Sequence, residues 1–178
     1  ASVAGLVPAL VGDQPAAWIP ALVTAAESVV LLVLDGLGHD ALGRHPDRLP
    51  TIAAMEGGPI TTVAPSTTAS ALTSIATGLA PAQHGIVGFR MLVDGAVLNV
   101  LGWHTNGARP PDPFDVQRHT AFLGREVPVV TKSEFRTSGF SQAHLRGARF
   151  VGWRTTAALV EHCRRLVASG ERFVYAYY

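Results

Sequence analysis

Val29-Val30-Leu31-Leu32-Val33-Leu34 is an unbroken run of β-branched and leucine side chains, and it stops at Asp35-Gly36. A strand with one wet face alternates apolar and polar residues. A continuous apolar run predicts instead a strand buried on both faces, as in a parallel sheet covered by helices. Downstream, Ile60 to Val63, Val127 to Val130 and Phe173 to Tyr177 also read as strands. Helical stretches lie between them. They run from about His39 to Gly43, from Leu49 to Glu56 (opened by Pro50, closed by Gly57-Gly58), and from Thr68 to Thr77, a helix of small residues closed by Gly78. Thr155 to Ser169 is amphipathic, with Leu159, Cys163, Leu166 and Val167 on one face, and Gly170 ends it. Strands alternating with helices predict an α/β fold, a largely parallel sheet sandwiched by helices.

The remaining segments are less regular. Residues 2–27 read as one or two short helices broken at Pro8, Pro15 and Pro20. Met91 to Val93 and Val97 to Val100 flank Asp94-Gly95, a strong hairpin signal. Residues 104–120, with Pro110, Pro111 and Pro113, read as a long polar loop, and residues 131–148 as irregular. There is no internal repeat and no low-complexity linker.

The chain has 178 residues, of which 48% are apolar and 15% charged. Soluble globular chains average about 25% charged residues, so this one is rich in material for a core. A net charge of +1, with basic residues scattered, gives no basis for binding nucleic acid or an anionic membrane. The single cysteine, Cys163, excludes an internal disulfide and fits a reducing compartment, so a cytoplasmic location is expected. Val29 to Leu34 is the longest purely apolar run, far short of the ~20 residues of a spanning helix. The first 27 residues are Ala-rich but lack a basic leader region. The chain starts at Ala1, which leaves a removed leader open.

Ligands of open α/β sheets gather outside the carboxyl ends of the strands, and Asp35 sits at such an end. Three readings compete for it. It is a metal ligand, since a carboxylate there is placed to bind a hard or borderline cation. It belongs to a dinucleotide loop, since Gly36, Gly38 and Ala41 match G-x-G-x-x-A after a strand. Or it caps the following turn or helix. The dinucleotide reading has a physical weakness: Asp35 would face the pyrophosphate with no cation between them. Glu56 lies near the expected ribose-binding position but at a helix end, not a strand end.

The second cluster is Pro65-Ser66-Thr67-Thr68, running into the small-residue helix. One hydroxyl can cap the helix; the cluster is larger than a cap needs. A helix amino terminus offers free N–H donors and partial positive charge, which bind a phosphoryl group and favour an alkoxide. A threonine hydroxyl still needs a base or a metal to become a nucleophile, and Asp35 is a candidate to hold that metal.

The two motifs in this order resemble one family. A strand ending Leu34-Asp35-Gly36 is followed by Pro65-Ser66-Thr67-Thr68, then by Thr77-Gly78 and Pro81-Ala82-Gln83-His84-Gly85. The pattern is similar to the type I phosphodiesterase and nucleotide pyrophosphatase branch of the alkaline phosphatase superfamily, over about residues 28 to 103 and weakly to the end. The resemblance implies an alkaline phosphatase-like fold and two divalent metal ions, usually zinc. It implies a threonine that forms a phosphoryl-enzyme intermediate, and a small-molecule phosphodiester or nucleotide substrate. By spacing back from Thr77-Gly78 it places the nucleophile, itself also a metal ligand, on Thr68, and the first metal-binding aspartate on Asp35. Better-known members carry an asparagine three residues after the nucleophile; here that residue is Ala71. The family's other ligands follow a Tyr-rich strand that Phe173 to Tyr178 resembles. The resemblance therefore implies that residues 1–178 are the amino-terminal part of a single catalytic domain, incomplete at the carboxyl end. On that reading this chain alone is inactive and does not hold two metals.

Other residues carry less. His84 reads as a hydrogen-bonded turn residue and His39 as solvent-facing. His104, His119 and His144 read as surface loop residues, and His162 lies beside Cys163 on a different helix face. Trp103 and Trp153 read as core residues ahead of a substrate cleft. Three functions follow: a metal-dependent phosphodiester or nucleotide pyrophosphate hydrolase; a non-catalytic or incomplete unit of such an enzyme; and a dinucleotide-binding oxidoreductase.

Overall fold

The computed structural model describes residues 1–13 and 16–178. The break expected at Pro15 lies outside them. Among the described residues seven strands form: β1 (Val29–Val33), β2 (Arg90–Val93), β3 (Ala96–Asn99), β4 (His104–Thr105), β5 (Pro128–Lys132), β6 (Arg149–Trp153) and β7 (Phe173–Tyr177). β1, β7, β5 and β6 form one sheet in that order, all parallel; β2, β3 and β4 form a small antiparallel sheet. The fold is thus α/β with a largely parallel main sheet between helices.

Alternation along β7 shows how the layers are built. Phe173 and Tyr175 point to one face, where they meet Val7, Leu72, Phe122, Val129 and Phe140. Val174 and Ala176 point to the other, where the Thr156–Ala168 helix covers them with Leu159. Burial of β7 on both faces is what a continuous apolar strand predicts.

β1 departs from that expectation. It is an edge strand whose exposure alternates, with Val30 and Leu32 39% and 47% exposed. The covering helix packs on β5, β6 and β7, leaving the outer face of β1 uncovered. Ile60 to Val63 also fails to form a strand. Thr61 makes one parallel bridge to Ser2, through Val3 N–H to Thr61 O at 2.9 Å and Thr61 N–H to Ala1 O at 3.2 Å. The partner segment then turns into a 3-10 helix at Val3–Gly5, so the ladder stops. Residues 131–148 are more regular than expected, with a 3-10 helix at Ser133–Thr137 and a helix at Gly139–His144. β6 was hidden by Gly152, and the structure shows why glycine stands there: a Cβ would lie 2.7 Å from Ser133 Oγ. The predicted hairpin forms, with Asp94 and Gly95 both left-handed as its tight turn requires. The long loop carries β4 and a short helix, Pro113–Val116.

The Thr68–Thr77 helix has the predicted bounds and is buried on nearly every side. Its small residues let it approach the sheet, but they bury hydroxyls, and each buried hydroxyl needs a partner. Thr73 and Thr77 donate to the carbonyls of Ala69 and Thr73, both at 2.7 Å. Ser74 is met by His84. The Ile86 N–H donates to His84 Nδ1 at 3.1 Å, so Nε2 carries the proton and donates to Ser74 Oγ at 2.9 Å. His84 is therefore the hydrogen-bonded turn residue that its motif suggested, and its burial lowers its pKa from 6.5 to about 4.

Burial holds His144 at about 4 in the same way. Unfolded, both imidazoles recover a pKa near 6.5. The unfolded chain then takes up protons that the native state refuses, so stability declines as pH falls from about 6.5 toward about 4. Denaturant unfolding is expected to show about 1–2 kcal/mol less stability per histidine at pH 5 than at pH 7.5. Equal stability at the two pH values would contradict this account of the core.

Candidate active site

A cavity of about 270 Å³ opens at the carboxyl ends of β1, β5 and β7. Asp35 follows β1, Thr131 comes from β5, Tyr175 and Tyr177 from β7, and Thr68 from the start of its helix. The cavity therefore lies where a parallel sheet is expected to bind its ligands. It brings together the two residues singled out in the sequence, Asp35 and Thr68.

The three clustered hydroxyls have separate fates. Thr67 is the N-cap: its Oγ1 accepts from the Ser70 N–H at 3.3 Å and lies 3.1 Å from Ser70 Oγ. Ser66 is exposed. Thr68, the first helical residue, is half-buried and lines the cavity, and its hydroxyl has no hydrogen-bond partner among the described residues. One residue caps and the next is left free. Ala71 lies one turn beyond Thr68 and offers no hydrogen-bonding side chain.

Asp35 is exposed, and its Oδ2 accepts from the Tyr177 hydroxyl at 2.7 Å. Its backbone N–H donates to Tyr178 O at 3.1 Å, extending the β1–β7 ladder one step past the strands. The following His39–Arg44 helix has Gly38 as N-cap and no side-chain cap, so Asp35 does not cap it. That helix also buries none of its residues. The close helix–strand packing served by the third small residue of a dinucleotide fingerprint is thus missing. Glu56 lies past the end of the Pro50–Ala53 helix. Burial first, then the hydrogen bond to Asp35 and its charge, pushes the Tyr177 pKa up, so Tyr177 stays a donor.

The structure adds residues that the sequence reading passed over. His144 is buried, not on a surface loop as its sequence suggested, because it ends the unforeseen Gly139–His144 helix. Its Nδ1–H donates to Phe140 O at 2.7 Å, and its ring stacks on Phe140 with centroids 4.1 Å apart. Ser138 caps that helix and donates its hydroxyl to Ser141 Oγ at 2.9 Å. Serines three apart, Ser138 and Ser141, are a helix-start pattern that could have revealed the element. The sequence marks Phe173 to Tyr178 as a Tyr-rich strand, but nothing in it gives Tyr175 or Tyr177 a place on the cavity. His39 and His104 are exposed, as expected. Trp103 and Trp153 are core residues.

Among the described residues, no three histidine, cysteine, aspartate or glutamate side chains group as a metal ion would need. Asp35 and Thr68 have the right donor chemistry, a carboxylate and a hydroxyl on one cavity. Two such donors are fewer than the three protein ligands plus water that a catalytic zinc takes. No helix of the described residues is long and apolar enough to cross a membrane.

The division of labour between Thr67 and Thr68 makes a stability prediction. Thr67→Ala removes the cap of a buried helix and is expected to cost about 1 kcal/mol. Thr68→Ala removes a hydroxyl with no partner and is expected to leave the unfolding midpoint within about 0.5 kcal/mol of wild type. Equal losses would show that Thr68 is a structural residue.

The family model described as type I phosphodiesterase / nucleotide pyrophosphatase matches residues 29–160. The match starts at the first residue of β1 and spans Asp35 and the whole Thr68–Thr77 helix. No curated protein and no solved structure matches the chain. With a largely parallel α/β sheet beneath it, and with most of the chain matched, the chain belongs to the type I phosphodiesterase / nucleotide pyrophosphatase family.

Proposed function

We propose that the chain carries the nucleophile, Thr68, and one metal-binding carboxylate, Asp35, of a metal-dependent hydrolase. Its substrate would be a small-molecule phosphodiester or nucleotide. One observation carries this reading. The one hydroxyl of its cluster that is both cavity-facing and unpartnered sits at a helix start and shares that cavity with Asp35. Family membership makes phosphodiester hydrolysis the activity to expect.

In this reading Thr68 Oγ attacks phosphorus, a Thr68 Oγ–P bond forms, and the ester P–O bond breaks. The alcohol leaves with the proton that Thr68 gives up, and water then cleaves the Thr68 Oγ–P bond, releasing the phosphomonoester and restoring the hydroxyl. The chain's own contribution is placement. The helix amino terminus directs partial positive charge at the phosphoryl oxygens. Tyr177 holds the Asp35 carboxylate by a hydrogen bond. Two divalent metals, zinc by the family's habit, would lower the pKa of the hydroxyl and offset phosphoryl charge when bound. Asp35 would hold one of them, and the reading requires further ligands from outside the described residues. We further propose that residues 1–178 act as one unit of such a catalytic domain. A non-catalytic role is the second reading, favoured by the lack of a three-ligand group among the described residues.

In a protein that carries the full ligand set, Thr68→Ala is expected to lower kcat on a chromogenic phosphodiester by at least about a thousandfold. Thr67→Ala is expected to lower it less than about tenfold. Near-wild-type turnover by Thr68→Ala would remove Thr68 as the nucleophile. Asp35→Asn keeps the shape and removes the charge, so elemental analysis is expected to show less bound metal than in wild type. Unchanged metal content would leave Asp35 without a ligand role. Tyr177→Phe is expected to lower metal affinity by about tenfold, as loss of a partner that orients a ligand does.

A further inference from the structure

Behind Thr68 the cavity changes character. Its inner walls are Leu72, Val129, Phe140 and Leu145, all buried. Among the described residues no lysine or arginine lines it, and Asp35 carries the charge at its mouth. Thr131, Ser138, Ser141, His144 and Tyr175 break the apolar lining, and three of them have free hydrogen-bonding capacity in view. Tyr175 is 1% exposed, and its hydroxyl is buried with no hydrogen-bond partner among the described residues. An unpaired buried hydroxyl is costly unless something meets it. His144 gives its Nδ1 proton to Phe140, which leaves Nε2 as the free, accepting ring nitrogen. Ser141 accepts from Ser138, which leaves the Ser141 proton to donate. The stacked Phe140 and His144 rings give the cavity a flat wall.

Size limits the occupant. A dry apolar cavity of about 150 Å³ takes a benzene ring. At about 270 Å³ in all, the mouth at Asp35 and Thr68 included, this cavity has room for one ring with a small substituent and not for a whole nucleotide. Charge limits it further, because a second phosphate would meet no cation on these walls.

We propose that this inner cavity binds the uncharged alcohol portion of the substrate, a single aromatic ring bearing a hydroxyl-like group that pairs with Tyr175, His144 and Ser141. The hydroxyl-like group can donate to His144 Nε2 and accept from Tyr175. Burial pushes the Tyr175 pKa up, so it remains a donor. The role as a substrate pocket rests on the proposed hydrolase reading; the binding of the ring does not.

The test uses the full chain and three probes: phenol, toluene and inorganic pyrophosphate. Binding is read by calorimetry and by NMR shifts of cavity residues. Phenol is expected to bind about five- to tenfold tighter than toluene, the gain of one or two buried hydrogen bonds. Pyrophosphate is expected not to compete with phenol. Tyr175→Phe is expected to remove the preference for phenol while leaving the protein at least as heat-stable. Leu101→Trp, at an exposed position on the cavity lining, is expected to block both aromatic probes. Equal binding of phenol and toluene would overturn the proposal, as would an unchanged preference in Tyr175→Phe or displacement of phenol by pyrophosphate. Thr68→Ala separates the two readings. Phenol binding together with near-wild-type phosphodiesterase turnover in Thr68→Ala would sink the hydrolase reading and keep this one. Loss of turnover in Thr68→Ala with no phenol binding by the wild type would do the reverse.

Discussion

The parallel pairing of β1 with β7 is the constraint on which the site depends. It joins Val29 to Phe173 and Val33 to Tyr177, residues from opposite ends of the chain. Closing so long a loop costs entropy that grows only slowly with length, and burial of Phe173, Val174, Tyr175 and Ala176 against two helical layers offsets it. The register then fixes the chemistry. Because the ladder runs one step past the strands, Asp35 N–H reaches Tyr178 O and the Tyr177 hydroxyl reaches Asp35 Oδ2. A slip of one residue would turn Tyr177 to the other face and leave the carboxylate without its donor.

The second requirement is that a helix be buried on almost all sides and still present a hydroxyl to the cavity. Small side chains solve the packing, and backbone carbonyls and His84 satisfy the buried hydroxyls at Thr73, Thr77 and Ser74. At the amino end, Thr67 takes the capping role. The adjacent Thr68 is then spared structural work. Two neighbouring threonines of identical chemistry are separated by backbone position alone. One sits before the first helical turn with extended dihedrals and the other within it.

Much of this was legible in the sequence because it rests on local patterns. The Thr68–Thr77 helix was bounded by a cap cluster and Gly78, and the Asp94-Gly95 turn by its demand for left-handed residues. The α/β class followed from apolar runs spaced by helical segments. The edge position of β1 was not legible, because an apolar run does not say which helix will lie over it. β6 and the Gly139–His144 helix were missed because Gly152 and Gly139 break the pattern. Both glycines answer to close approaches from distant residues, Ser133 and Trp103, that no window of sequence contains. The tyrosines and His144 of the cavity were missed for the same reason. Their roles come from what the fold sets beside them: a carboxylate for Tyr177, no partner for Tyr175, a carbonyl for His144.

The central claim is that Thr68, and not its neighbours, receives the phosphoryl group. Acid quenching during turnover of a phosphodiester by a protein that carries the full ligand set, with divalent metal supplied, followed by proteolysis and tandem mass spectrometry, reads the modified residue directly. The account predicts the substrate-derived phosphoryl group on Thr68 and nowhere else in the Ser66–Ser70 segment. Label on Ser66 or Thr67, or turnover with no labelled residue, would contradict it.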